Sequence, residues 1–146
     1  MSKLIDIVNQ FWTWTGCKRS WKDYDVVNLD LDPLSFPEFE TLRNLCISSI
    51  NNPLSSEEAD AFLLCMALDS EDECILDACK EFADELFLCT LLPVGVSFSQ
   101  SQTRWQMAEL LRKNIPDRAA YLQTLFSDSD SYVRKRAHNV EYESMM

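Results

Sequence analysis

Apolar residues recur at helical spacing along most of the chain, separated by short polar or proline-containing breaks. Between Ser2 and Thr15 the apolar residues Leu4, Ile5, Ile7, Val8, Phe11, Trp12 and Trp14 cover most sides of a predicted helix, which must therefore dock deeply. Gly16 is suited to end it in the left-handed cap conformation. Residues 17–36 carry Pro33, Trp21 and several acids with no steady period, and read as an irregular connection. Pro37 is placed to open a second helix, with Phe39, Leu42, Leu45, Cys46 and Ile50 on one stripe, and Asn51-Asn52-Pro53 ends it. Ser56 then caps a third, with Glu57 and Glu58 in the first turn where the helix dipole favours them. Ala61, Phe62, Leu64, Cys65 and Leu68 are its apolar positions.

From this point the chain repeats. Asp60–Leu68, Asp84–Leu92 and Arg118–Phe126 align as the first helix of a unit: Leu64, Leu88 and Leu122 coincide, as do Leu68, Leu92 and Phe126. Each is followed by a polar turn and a second helix, over Glu73–Cys79, Ser101–Met107 and Ser131–Ala137. Leu68-Asp69-Ser70-Glu71-Asp72 and Phe126-Ser127-Asp128-Ser129-Asp130 are closely similar turns, and the middle unit has a longer loop at Pro93–Ser99. A hairpin of about 30 residues cannot bury its apolar stripe alone and stacks on copies of itself.

These residues resemble HEAT-like repeats. Val133-Arg134 with Ala137 carries the Val-Arg-x-x-Ala signature intact. Thr103-Arg104 carries it with Met107 in place of the alanine, and Ile75-Leu76 to Cys79 lacks the arginine. The likeness is good over residues 103–140 and fair over 57–92. It implies an all-α fold, a short α-solenoid of stacked hairpins over 37–146 with an N-terminal capping helix and connection over 1–36, and a protein-binding role. One domain is expected.

Composition narrows the chemistry. Two glycines in 146 residues, Gly16 and Gly95, cannot build a Rossmann fingerprint or a P-loop, where only glycine lets the backbone close on a phosphate. A net charge of −11 suits neither nucleic acid nor an anionic membrane, and points to a basic protein surface. Six cysteines without any Cys-x-x-Cys pair, three of them (Cys65, Cys79, Cys89) in apolar helical runs, read as reduced thiols in a cytoplasm. Asp6 and Asn9 interrupt what would be the apolar core of a signal peptide, and no run of 18 apolar residues occurs.

Candidate catalytic groups are sparse. His138 is the single histidine and stands among basic residues on the last helix. Asp30 and Asp32 offer a metal two carboxylates with no further ligand. Asp128-Ser129-Asp130-Ser131 resembles the start of a calcium loop but lacks its mid-loop glycine and closing glutamate, so helix capping is its expected role. Trp12, Trp14 and Trp21, with Phe11 and Tyr24, suit either a base-stacking platform or a buried N-terminal cap; the acidity favours the cap. No enzyme activity, metal or cofactor is expected.

The strongest functional signal is where charge sits. Residues 57–99 hold 11 acids against one base, Lys80, a net −10, whereas residues 1–56 net −2 and residues 100–146 net +1. If Ile75, Cys79 and Phe82 face inward, Glu73, Asp77 and Glu81 line one outer ridge at i, i+4 and i+8. Like charges at that spacing cost a few tenths of a kcal/mol per pair, so stability alone does not select them. The expected partner-binding residues are Asp69, Asp72, Glu73, Asp77, Glu81 and Asp84, with Trp105 as a half-exposed anchor. A small, acidic, glycine-poor helical chain resembles the immunity proteins of bacterial toxin systems. That resemblance implies occlusion of a basic toxin domain, such as a nuclease; a general adaptor for an endogenous protein is the alternative.

Overall fold

The computed structural model describes residues 2–145, which form eight α-helices and no strand among them. They are α1 (Lys3–Thr15), α2 (Phe39–Ser49), α3 (Ser56–Leu68), α4 (Cys74–Phe82), α5 (Glu85–Gly95), α6 (Ser101–Leu110), α7 (Arg118–Phe126) and α8 (Ser131–Ser144). Between α1 and α2 the chain makes only two short 3-10 turns, Val26–Asn28 and Pro33–Ser35. No helix among the described residues is long and apolar enough to cross a membrane.

Local signals set most boundaries. The Ser2 side chain accepts a hydrogen bond from the Ile5 N–H, and Gly16 closes α1 at φ 70°. Ser55, one residue before the serine expected from sequence, caps α3 in a full capping box with Glu58. Hydrogen bonds from the Ser55 backbone and the Ser2 hydroxyl hold the Glu58 carboxyl below its usual range and tie α1 to α3. Helix α2 begins at Phe39, two residues after Pro37, and Asp130 caps α8.

Two helices are covered on nearly every side. In α3 the run from Ala61 to Leu68 is buried throughout, because its sequence is apolar all round and leaves no face for solvent. Helices α1, α2, α5 and α6 all pack against it. Helix α6 is buried from Trp105 to Leu110 despite a polar sequence. Its buried polar groups find partners on α3: the Thr103 hydroxyl donates to the Leu63 carbonyl (2.7 Å) and the Gln106 amide to that of Met66 (2.9 Å). Gly95 lies inside α5, not in the expected loop, and a Cβ there would come within 2.3 Å of Met107 Sδ. The missing side chain lets the end of α5 close on α6.

The N-terminal rings are largely absorbed. Phe11 meets Phe36 edge-on at 5.3 Å, Trp12 meets Tyr24 at 6.1 Å, and Trp12 Nε1–H donates to the Arg19 carbonyl. The Gln100 side chain, buried before α6, accepts from the Val26 N–H and donates to the Tyr24 carbonyl, pinning the connection to the core.

Candidate protein-docking surface

The acidic segment is split by the fold into two populations. Asp69 stands at the end of α3 and is only 1% exposed. Its Oδ1 accepts from Arg43 Nε (3.0 Å) and Nη2 (2.7 Å), and its Oδ2 from the Ile75 N–H (2.8 Å). Asp69 thus neutralises an arginine of α2 and caps α4 from the preceding helix. It is not part of an accessible ridge, contrary to the expectation from sequence. Asp72 shares the same guanidinium at 2.8 Å. Arg43, which the hydrophobic pattern did not single out, also lies over the Phe39 ring at 5.1 Å.

Glu73 occupies the junction in the left-handed region at φ 56°, a conformation a glutamate adopts only under constraint. The bond from its own N–H to the Asp69 carbonyl (2.8 Å) and that from Ile75 to the Asp69 carboxylate hold it there. Beyond it the inward stripe of α4 is Ile75, Leu76, Cys79 and, past the helix end, Ala83. Asp77 and Glu81 point to solvent. Among the described residues neither forms an ion pair, nor do Glu73, Asp84 and Glu85.

Phe82 was expected inside with Ile75 and Cys79 and is instead 60% exposed. The stripe continues at i+8, not i+7, because Ala83 leaves the helix in an extended conformation and turns inward in its place. Four residues later Leu86, in the first turn of α5, is 78% exposed. The bend between them is tightly held. Asn51 Nδ2 donates to the Phe82 carbonyl (2.9 Å) while Asn51 Oδ1 accepts from the Asp84 N–H (2.7 Å). Asp84 caps α5 through the Phe87 N–H (2.8 Å), and Lys113 Nζ donates to the Ala83 carbonyl (3.1 Å) at the negative end of α4. Asn51 itself takes φ 71°, which asparagine tolerates better than most residues.

Of the basic residues of the C-terminal half, Lys113 reaches the bend but donates to backbone carbonyls, while Arg104, Arg112 and Arg136 pair with carboxylates elsewhere. Glu109, 4% exposed, takes Arg112 Nε (2.7 Å) on one oxygen and Arg136 Nε (2.7 Å) on the other. Burial pushes its carboxyl up, but the two guanidiniums outweigh that and hold it below the usual range. Arg104 pairs with Asp128 (2.7 Å) and Arg112 also with Glu143. Trp105 is another departure from expectation: it is only 8% exposed. Arg136, fixed by Glu109, covers its ring at 4.4 Å, and Tyr132 seals its edge. With Met107, Leu110 and Leu111 facing the core, the helix period puts it on a flank beside Arg112; the packing of α8 over α6 closes that flank.

The weaker candidates take structural parts. Asp32 caps a 3-10 turn through the Leu34 N–H, Asp128 binds Arg104 and the Asp130 N–H, and His138 stacks on Phe126 at 4.4 Å. Among the described residues no group of three or more His, Cys, Asp or Glu side chains is arranged to hold a metal ion. All six cysteines are free; burial pushes the Cys79 thiol up to about 12 and that of Cys46 well above its ordinary value. The chain matches no family model, no curated protein and no solved structure.

Proposed function

We propose that this chain is a non-enzymatic protein-binding module that docks a basic partner on the α4–α5 edge. The observation that carries the reading is the set Asp77, Glu81 and Glu85, exposed and without an ion pair among the described residues, with exposed Phe82 and Leu86 next to Glu81 and Glu85 in the chain, while Arg43, Arg104, Arg112 and Arg136 pair elsewhere. An unpaired acidic edge attracts a cationic surface over several ångströms and speeds encounter. Together with the resemblance to bacterial immunity proteins, this makes a basic toxin domain, such as a nuclease, the proposed partner. The mode of action is occlusion of its phosphate-binding face.

The architecture we propose for it is a short stack of HEAT-like hairpins. Its support is the order of packing: α1 on α3 and α3 on α5, then α2 on α4, α4 on α6 and α6 on α8. A second support is a recurring ion pair. Arg43 on α2 reaches the α3–α4 turn at Asp69, and Arg104 on α6 reaches the α7–α8 turn at Asp128. Leu42-Arg43-x-x-Cys46 has the same spacing as Val133-Arg134-x-x-Ala137, which extends the signature to α2.

The test is co-purification with a basic toxin domain encoded beside it, and protection of cells that express that domain. The complex should weaken steadily as salt rises and be lost on Asp77→Lys with Glu81→Lys. A complex unaffected by both reversals overturns the edge assignment; no protection against any such domain overturns the immunity reading.

A further inference from the structure

Acidity alone selects for positive charge without choosing among cationic surfaces, so the apolar side chains within the acidic edge call for a separate account. Beside Leu86 lies a cleft of about 220 Å³, between the Asn52-Pro53-Leu54 loop and the face of α5 carrying Phe87 and Thr90. Its volume falls below the roughly 300–1,000 Å³ of small-molecule sites and suits a single large side chain. Exposed Phe82 ends α4 two residues before Asp84, which lines the cleft.

We propose that this cleft is the anchor point of the docking surface: a basic segment of the partner inserts one large apolar side chain here, flanked by lysines or arginines. The inference rests on the acidic-edge reading and adds the specificity element to it. Charge complementarity chooses the occupant. Asp84 lines the cleft, and exposed Glu81 and Glu85 stand within three residues of it along the chain, an arrangement in which an apolar anchor has a polar rim and its flanking cations meet carboxylates. A second copy of this chain is a poor occupant, since a symmetric pairing through this corner brings like charges together. The corner is also preorganised. Asn51 bridges the Phe82 carbonyl and the Asp84 N–H, and Lys113 holds the Ala83 carbonyl, so little backbone ordering is left for binding to pay for.

Two labelled, lysine-rich helical peptides of equal charge test this against the full chain by fluorescence anisotropy; one carries a central tryptophan, the other serine. The tryptophan peptide is expected to bind at least about tenfold more tightly, the effect of one well-buried anchor. That advantage should vanish in Leu86→Ser and in Thr90→Phe, which fills the cleft from α5, while the serine peptide binds all three proteins alike. Leu86 is exposed, so its replacement should leave the melting temperature unchanged. Equal binding of both peptides, lost on Asp77→Lys with Glu81→Lys, overturns the anchor and leaves the acidic-edge reading standing. An advantage that survives both Leu86→Ser and Thr90→Phe also overturns the anchor. Failure of both peptides to bind overturns both readings.

Discussion

Asp69, Glu109 and Asp128 carry the same functional group as Asp77, Glu81 and Glu85, yet the two sets do opposite things. In the first, each carboxylate meets a guanidinium from another helix and leaves solvent: Arg43 for Asp69, Arg136 for Glu109, Arg104 for Asp128. In the second, no carboxylate forms an ion pair among the described residues and the charge stays on the surface, the nearby Lys113 donating instead to backbone carbonyls. The difference is one of arginine reach, not of residue type. Removing one partner of a buried pair strands a charge, whereas removing an exposed carboxylate strands nothing.

The sharpest way to break the comparison is Asp69→Ala. It leaves Arg43 unpaired and the Ile75 N–H without its acceptor, and should cost about 3–5 kcal/mol in chemical denaturation. A loss no greater than that of a surface substitution would place Asp69 with the solvent-facing set. Pairing it with Arg43→Met should recover part of the stability, because no buried charge then remains.

Acid titration separates the two sets next. The Glu109 carboxyl is depressed in the folded state, so its contribution is present above the ordinary value of 4.5 and is lost as pH falls through the lower folded value. Stability of the natural chain should therefore drop steeply below about pH 4.5. In Glu109→Gln, less stable at neutral pH, the same window should be flatter; identical slopes would remove Glu109 from the buried set.

The smallest effect is expected on the edge itself. Asp77→Lys with Glu81→Lys should alter stability by no more than about 0.5 kcal/mol, with a slight gain from relieved i,i+4 repulsion. Added salt should stabilise the natural chain by a few tenths of a kcal/mol through screening of that repulsion, and this increment should shrink in the double variant. A loss of several kcal/mol would mean that these carboxylates hold the fold.

How much of this was legible beforehand varies by residue. Helix α1 with its glycine cap, the Asn51-Asn52-Pro53 break and the Asp130 cap were readable, since each depends on groups a few residues apart. The exposure of Phe82 was not, because the inward stripe runs through Ala83 after α4 has ended. Nor was the burial of Trp105 or the part played by Arg43. A buried Gln106 and Thr103 on a polar α6 gave no local sign, their partners being carbonyls 40 residues earlier on α3.

By itself the sequence determined that the chain is helical and that its excess of carboxylates is concentrated between residues 57 and 85, because helix period and charge count are properties of neighbours along the chain. Which of those carboxylates face water was decided only by tertiary structure. Asp69, the buried one among them, is claimed by an arginine 26 residues away, and only packing of the helices brings that distant side chain within reach.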